Sequence, residues 1–204
     1  LAGARLRVIV EPASQAQAEL LVGSIVSPEP LGARTVCVGE LGEVTLSPTG
    51  EIEAVYPKPS LDEPAALERL TALGVEFRES SRTLSEDGTL TLTCIQLRQG
   101  VPLPEETVTL TFQEGLLRSL SLRLLSGTWE TVPGRESVTA STALLRFLEA
   151  MNRRGYVCTQ VTDLYPCYSV TGTSTLTLTP TWYVETDTRP WLFPVDGQSA
   201  TSAE

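Results

Sequence analysis

The sequence predicts an α+β fold, in which antiparallel β-meanders are each packed by a helix and the unit of one helix with about four strands is repeated. Two observations predict this class. Three segments carry apolar residues at the spacing of one helix face, and the stretches between them alternate apolar with polar residues, as strands with one solvated face do. With 204 residues, of which 41% are hydrophobic, the chain can bury the core of one large domain or of two small lobes.

The clearest helix is predicted over residues 137–154, with Ser137 as its N-cap and Gly155 at the position that ends it. Its apolar residues follow the i, i+3, i+4, i+7 spacing of one helix face, and they are Ala140, Ala143, Leu144, Phe147, Leu148 and Met151. Such a stripe needs a sheet to cover it, so we expect this helix to pack on the strands that follow.

Two further helices are predicted nearer the N-terminus. One runs from about Asp62 to Leu73, with Pro64 in its first turn, where proline is well tolerated. The other runs from Pro12 to Val26 and is interrupted by Gly23. The unit of a helix and a meander is expected to start near Asp62 and again near residue 137.

The strands are predicted from alternation with a period of two, which is strongest over residues 90–97, 107–112, 119–124 and 176–184. The turn Glu114-Gly115 is predicted to join the second and third of these as a hairpin. The alternation shifts by one position after Cys94, at Ile95 and Leu97, which predicts a β-bulge.

The order of the elements predicts an N-terminal α+β lobe over residues 1–86 and a C-terminal α+β lobe over residues 87–197. The small, polar residues 198–204 are expected to form a flexible tail.

Composition argues against several functions. The chain has 15 Lys and Arg against 25 Asp and Glu, and the resulting charge of -10 would repel nucleic acid. It has no histidine, so the commonest general base and metal ligand is missing. No nucleophile, phosphate-binding or dinucleotide-binding motif is visible. We therefore expect a non-enzymatic protein without catalytic residues, cofactor or metal.

Pairs of acidic residues are the remaining candidates for catalytic groups. They occur at Glu105-Glu106, Asp62-Glu63 and Glu86-Asp87, each beside a proline or glycine, which favours turns and helix starts. A carboxylate-dependent hydrolase stays open as a third alternative, since it would need two carboxylates that converge in an open cleft.

The four cysteines allow three disulfide pairings. Cys158 and Cys167 form the local candidate disulfide, whereas Cys37 and Cys94 lie in apolar strand patterns that suit buried free thiols. This evidence leaves the redox compartment open.

Aromatic residues crowd the C-terminal strands and are candidates for partner binding. The candidate partner-binding residues are Trp129, Tyr183, Trp191 and Phe193. Trp182 is different, because it shares its phase with the apolar residues of its strand and is therefore expected in the core.

A series of short patterns follows one another from Leu90 to Gly197. They are Ile95-Gln96-Leu97-Arg98-Gln99-Gly100-Val101-Pro102-Leu103, then Ala143-Leu144-Leu145-Arg146-Phe147-Leu148 with Gly155, then Tyr168 in a strand, then Leu178-Thr179-Pro180-Thr181-Trp182-Tyr183-Val184-Glu185-Thr186-Asp187, and finally Val195-Asp196-Gly197. This series resembles the YycI/YycH-type regulatory proteins of two-component systems, within the broader PepSY-like group of ectodomains. The chain departs from the family pattern in its four cysteines and in Trp191, which stands at an ordinary core position of the closing strand.

The resemblance implies a protein of a Gram-positive bacterium held by a single N-terminal transmembrane helix that lies outside this chain, with the folded part at the extracellular face of the cytoplasmic membrane. It implies control of a membrane sensor kinase, YycG, through contacts with the kinase and a sister regulatory protein, as a homo- or heterodimer. It carries over no catalytic residue. The alternative is a PepSY-like modulator or inhibitor of an envelope peptidase or cell-wall hydrolase.

Overall fold

The computed structural model of the chain describes residues 4–133 and 138–194, together with the backbone of residues 201–202. Over these residues the elements follow one another as β1 (Arg5–Val10), α1 (Gln15–Val22), β2 (Ile25–Leu31), β3 (Arg34–Gly39), β4 (Glu43–Leu46), β5 (Glu51–Val55), α2 (Glu63–Ala72), β6 (Glu76–Leu84), β7 (Thr89–Arg98), β8 (Val101–Gln113), β9 (Leu116–Arg123), β10 (Gly127–Val132), α3 (Ala140–Arg153), β11 (Val161–Gly172), β12 (Thr175–Thr186), β13 (Pro190–Pro194) and β14 (Thr201–Ser202). The strands pair antiparallel throughout, so the predicted α+β class is confirmed.

An eight-stranded sheet holds the strands from β2 to β9, in the order β2-β3-β4-β5-β9-β8-β7-β6. Each half is a meander, and the two halves meet where β5 pairs with β9, with Ala54 opposite Leu120. Helices α1 and α2 both contribute to the core on this sheet, through residues such as Leu21 and Leu70, which are fully buried. This cluster is the largest apolar core of the described chain.

A six-stranded sheet combines the first strand of the chain with the C-terminal strands. The long strand β12 pairs with β11 along one edge. Along its other edge it pairs with β1 near Leu178 and with β13 near Tyr183, while β10 extends β1 and β14 extends β13. Helix α3 covers the β12 and β13 part through Ala143, Phe147 and Met151.

The two sheets contact each other through a third apolar cluster, in which residues of β1 and β12 pack with Leu103 of β8 and Tyr168 of β11. Polar contacts reinforce it, since a carboxylate oxygen of Glu105 accepts a 2.7 Å hydrogen bond from the Val170 backbone N–H. The guanidinium of Arg98 also lies 3.9 Å from the centroid of a tryptophan ring of β10.

The predicted helix over Pro12 to Val26 is shorter in the structure, where α1 occupies Gln15–Val22. It begins at a capping box, in which Ser14 and Gln17 each accept the backbone N–H of the other. It ends at Gly23, whose φ of 80° is a conformation that glycine adopts easily. The turn lets β2 start at Ile25, which sequence periodicity had assigned to the helix.

The other two helices lie where the sequence predicts them. Asp62 is the N-cap of α2, and its carboxylate accepts the Ala65 N–H. Helix α3 starts at Ala140 behind the N-cap Thr139, whereas the predicted cap, Ser137, lies outside the described residues. Gly155 follows α3 with a φ of 68°, as predicted for the residue that ends this helix.

The β8–β9 hairpin at Glu114-Gly115 is confirmed, because both residues have positive φ angles, as a type I′ turn requires. The pairing register shifts between Ile95 and Gln96, where the sequence predicts a β-bulge in β7. The extra residues lie in the partner strand β8, however, so Gln96 stays on the buried face of β7, where its side chain donates to the Arg123 carbonyl. A register shift in one strand can thus be absorbed by its neighbour.

The predicted boundary between residues 86 and 87 falls in the turn between β6 and β7, so residues on both sides of it belong to one sheet. The eight-stranded sheet spans this boundary because β5 pairs with β9, which joins parts of the chain that are distant in sequence. Of the predicted tail at 198–204, the structure describes only the backbone of residues 201–202, which pairs with β13.

Candidate functional site

A cleft of about 260 Å³ opens at the C-terminal end of α3, and we call it the Trp191 cleft. Three chain segments form it: the end of the helix, the loop that leads to β11, and the turn between β12 and β13. The residues that line it include Met151, Tyr156, Val157, Cys158, Arg189 and Trp191.

Asp187 ties the loop to the turn. Its carboxylate accepts hydrogen bonds from the backbone N–H and the hydroxyl of Thr159 and from the backbone N–H of Gln160, and its own N–H donates to the Gln160 carbonyl at 3.1 Å. The hydrogen bond from the Thr159 hydroxyl is the largest of the effects that lower the pKa of Asp187. This carboxylate is therefore charged at neutral pH and occupied by the loop.

Thr186 shapes the turn itself. Its buried hydroxyl donates to the Arg189 carbonyl at 2.7 Å and accepts the backbone N–H of Arg189 at 3.2 Å. The side chain thus closes the turn from inside, as threonine commonly does where the backbone reverses. This closure fixes the backbone from which the Arg189 side chain projects.

The guanidinium of Arg189 stacks on the aromatic walls of the cleft. Its Cζ atom lies 4.1 Å from the ring centroid of Trp191 and 5.1 Å from that of Tyr156, and the two rings are themselves 5.3 Å apart. These contacts are cation–π interactions, which occupy the face of the guanidinium and leave its N–H edges for other acceptors. Among the described residues Arg189 forms no ion pair.

Trp191, whose side chain also lines the cleft, carries a second donor. Its side chain is 4% exposed, and its indole N–H is buried without a hydrogen-bond acceptor among the described residues. A buried donor without an acceptor costs about 1–3 kcal/mol, so an acceptor supplied from outside would be favourable.

The expectation that Trp191 and Phe193 are exposed aromatic anchors is wrong, because both side chains are buried. The reason is α3: Phe147 lies edge-on against both rings, with centroids 6.2 Å and 6.1 Å away. Strand alternation alone could not show that a helix covers this face. Trp191 nevertheless contributes its ring to the wall of the cleft.

The other predicted aromatics are half-buried. Trp129 lies under the guanidinium of Arg98, and Tyr183 stacks on Tyr165 with ring centroids 4.7 Å apart. Trp182 is buried in the core beneath α3, as predicted. The four predicted partner-binding aromatics therefore do not form one surface patch.

The predicted disulfide between Cys158 and Cys167 is not formed, and all four cysteines are free thiols. Cys158 packs against the core under α3, whereas Cys167 is buried within β11 opposite Thr181 of β12. Burial raises the pKa of the Cys167 thiol to about 12, which keeps it protonated and unreactive. Cys37 and Cys94 are buried free thiols, as predicted.

One acidic pair has unusual surroundings. Glu106 is buried, and its carboxylate lies 3.2 Å from Arg123, which also contacts Glu51 at 3.5 Å. Desolvation raises the pKa of Glu106 to about 7, against the opposing effect of Arg123. A hydrolase acid would need such a pKa in an open cleft, but Glu106 lines neither the Trp191 cleft nor the cleft beside Cys37. Across the residues that the structure describes, no group of three or more metal-ligating side chains comes together.

Sequence reasoning missed Arg189, Tyr156 and the bracing role of Asp187. A weak signal was present, because the apolar pair Tyr156-Val157 directly follows the glycine that ends a helix. An apolar residue at the second position after the helix end is common, because it packs back on the helix, so this signal does not by itself indicate a binding site.

Helix α3 and the loop that follows it carry exposed apolar side chains. Between residues 145 and 157, four large hydrophobic side chains are exposed, which we call the α3 apolar surface: Leu145 at 64%, Leu148 at 41%, Tyr156 at 48% and Val157 at 78%. Exposed apolar patches of this kind commonly mark sites of protein interaction.

The geometry defines an α+β protein with two antiparallel sheets and a cleft at the end of its last helix. No protein-family model matches the chain, and no curated protein is similar enough to count as a relative. Among solved structures, the chain is similar to an uncharacterized protein from Eubacterium rectale, with a TM-score of 0.61 and 11% identity over 99% of this chain and 81% of that one. At this identity the likeness concerns the fold alone.

A more distant neighbour is the C-terminal domain of YpeB from Bacillus megaterium, with a TM-score of 0.47 and 7% identity over 96% of this chain and 100% of that one. At this TM-score and identity, no conclusion about this chain rests on the likeness. Within the described residues, no helix has both the length and the apolar character needed to cross a membrane.

Proposed function

We propose that the chain is a non-catalytic, extracytoplasmic regulatory domain of a membrane-anchored bacterial protein, and that it acts by binding another protein. The observation that carries this proposal is the α3 apolar surface: Leu145 and Leu148 are exposed on α3, and Tyr156 and Val157 are exposed where they line the Trp191 cleft. Burying such side chains against a partner would be favourable by roughly 25 cal/mol for each Å² of apolar area removed from water.

The sequence patterns from Leu90 to Gly197 support the finer form of the proposal, a YycI/YycH-type, PepSY-like regulator built from repeated units of a helix and a meander. On this reading the partner is a membrane sensor kinase, with or without a sister regulatory protein. The regulatory signal would be the occupancy of the α3 apolar surface, passed to the membrane through the anchor expected before residue 1.

The alternative is a modulator of an envelope peptidase or cell-wall hydrolase, which the exposed apolar side chains also fit, because the buried centre of a protein–protein interface is commonly apolar. The two readings use the same surface. They differ in the identity of the protein that covers it.

The experiment places a photo-crosslinking amino acid at Leu148 and at Val157 of the full-length protein in its own cells, followed by mass spectrometry of the adducts. The matched control carries the same group at Val26, which is also apolar and exposed but lies on the other sheet. Adducts with a sensor kinase or sister regulator from the first two sites, and not from the control, are expected. Adducts with a peptidase or hydrolase would select the alternative, and equal labelling from all three sites would refute the proposed surface.

A further inference from the structure

We propose that the Trp191 cleft binds the C-terminal carboxylate of a peptide whose last side chain is apolar. The proposal rests on the proposed function and deepens it, because it names the group that a protein partner would insert beside the α3 apolar surface. It follows from the donors in the cleft, from its walls and size, and from the local balance of charge.

The donors fit a carboxylate. Arg189 presents the N–H groups of its guanidinium in a planar fork, which matches the two oxygens of a carboxylate. The stacking on Trp191 and Tyr156 limits its orientations, so less freedom is lost when a ligand binds.

No carboxylate of the described chain takes this role. Asp187 is the acidic residue nearest to Arg189 in sequence, and its oxygens accept hydrogen bonds from Thr159 and Gln160 instead. The buried indole N–H of Trp191 is a further donor without an acceptor among the described residues. A ligand oxygen that reaches it would satisfy a group that the fold leaves unsatisfied.

The walls favour an apolar neighbour for this carboxylate. Met151, Val157 and the ring of Trp191 contribute carbon surface to the cleft. Its volume of about 260 Å³ is below the roughly 300–1,000 Å³ of sites that enclose a drug-sized molecule, so it suits one terminal residue better than a long acyl chain.

The charge around the cleft is also compatible with an anion. Residues 138–194 contain four arginines and four acidic residues, whereas the whole chain has a net charge of -10. Arg153 and Arg154 lie at the end of α3 that borders the cleft. One arginine and one indole N–H offer enough donors for a carboxylate, while a phosphate group, with a higher charge and three oxygens, would require more.

The test is a titration of the ¹⁵N-labelled domain with N-acetyl-glycyl-leucine, followed by NMR of the three tryptophan indole N–H signals. The Trp191 signal, assigned with the variant Trp191→Phe, is expected to move saturably at roughly 0.1–1 mM ligand, as is typical of a fragment of this size. The signals of Trp129 and Trp182 serve as internal controls and are expected to move little.

Two ligand controls separate the carboxylate from its source. The C-terminal amide of the same peptide is expected to bind at least tenfold more weakly. Octanoate tests for an acyl-chain site, and tighter binding of octanoate than of the peptide would overturn the assignment to a peptide terminus. Equal movement of the Trp191 signal with the acid and with the amide would overturn the role of the carboxylate.

Two variants test Arg189. Arg189→Gln is expected to weaken binding of the acid about tenfold, whereas Arg153→Gln, which removes the same charge from the nearby helix end, is expected to change it less than about twofold. An unchanged affinity of Arg189→Gln, in a variant whose other NMR signals are preserved, would refute the site. If the peptide binds but no protein is crosslinked, the cleft assignment stands and the proposed function is refuted. If a protein is crosslinked but the Trp191 signal does not respond, the proposed function stands and the cleft assignment is refuted.

Discussion

Glu106 makes the stability of this protein depend on pH in an unusual direction. The carboxyl group is 6% exposed and desolvated in β8, with Arg123 at 3.2 Å as its ion-pair partner. Desolvation raises its pKa from an ordinary 4.5 to about 7, Arg123 opposes this, and the neighbouring charges of Glu105 and Glu51 add to it. The proposed perturbation is Glu106→Gln, which keeps the size of the side chain and an oxygen that can accept from Arg123.

The sign follows from proton binding in the two states. In the unfolded chain the carboxyl group loses its proton near pH 4.5, and in the folded protein near pH 7. Between these values the folded state holds more protons, so the free energy of unfolding falls as pH rises from about 4.5 to about 7. A difference of one in pKa corresponds to about 1.4 kcal/mol, which gives about 3 kcal/mol for this group.

The window from pH 5 to pH 8 isolates the effect, because the chain has no histidine that would titrate there. Carboxylates whose pKa is lowered, such as Glu51 and Glu63, lose their contribution only when pH falls below this window. Urea unfolding at pH 5, 6, 7 and 8 is the assay. The wild type is expected to lose about 2.5 kcal/mol across the series, because part of the total is already lost below pH 5. This loss is equivalent to roughly 5–10 °C in Tm for a domain of this size, and Glu106→Gln is expected to lose little.

Glu53→Gln is the matched control, because Glu53 lies on the exposed face of β5 near the same cluster and makes only a long ion pair of 3.8 Å with Arg34. This variant should keep the pH dependence of the wild type. The reasoning fails if wild-type stability is flat between pH 5 and pH 8, or if Glu106→Gln retains the wild-type slope.

Three further predictions concern the core, a close backbone contact and the thiols. Phe147→Ala removes a fully buried ring and is expected to destabilise the protein by about 3–5 kcal/mol in urea unfolding, whereas Leu148→Ala, on the exposed side of α3, should change stability by less than about 1 kcal/mol. Gly127→Ala would place a Cβ 1.9 Å from a backbone carbonyl oxygen of β1 at a φ of 138°, so we expect the free energy of unfolding to fall by about 2–4 kcal/mol. In the control Gly32→Ala the new Cβ would meet no atom within 4 Å, so only the strain of a positive φ is tested and the fall should be clearly smaller. Under native conditions an alkylating reagent should modify Cys158 before it modifies the three buried cysteines. Under denaturing, non-reducing conditions it should modify all four cysteines, and protection of two of them would contradict the free-thiol state.

The candidate site was only partly visible in the sequence. Trp191 was singled out as an aromatic of the C-terminal strands, but its exposure was predicted wrongly, because its burial depends on Phe147 of a helix some forty residues earlier. The cleft depends on the Asp187 carboxylate, which accepts hydrogen bonds from a loop 28 residues earlier, and on the Thr186 hydroxyl, which closes the turn itself. Nothing in the local pattern around Arg189 indicates that it stacks on two rings.

Short-range patterns in the sequence determined which structural features could be predicted without a structure. The α+β class, the start of α2 at Asp62, the end of α3 at Gly155 and the hairpin at Glu114-Gly115 each depend on residues within one or two turns of chain, where periodicity, capping and glycine conformation act directly. The tertiary structure alone decided that β5 pairs with β9, that β1 joins the C-terminal sheet, and that α3 covers Trp191 and leaves a cleft at its end. These outcomes depend on contacts between segments far apart in sequence, whose partners are chosen by the packing of whole faces rather than by any pattern within a single segment.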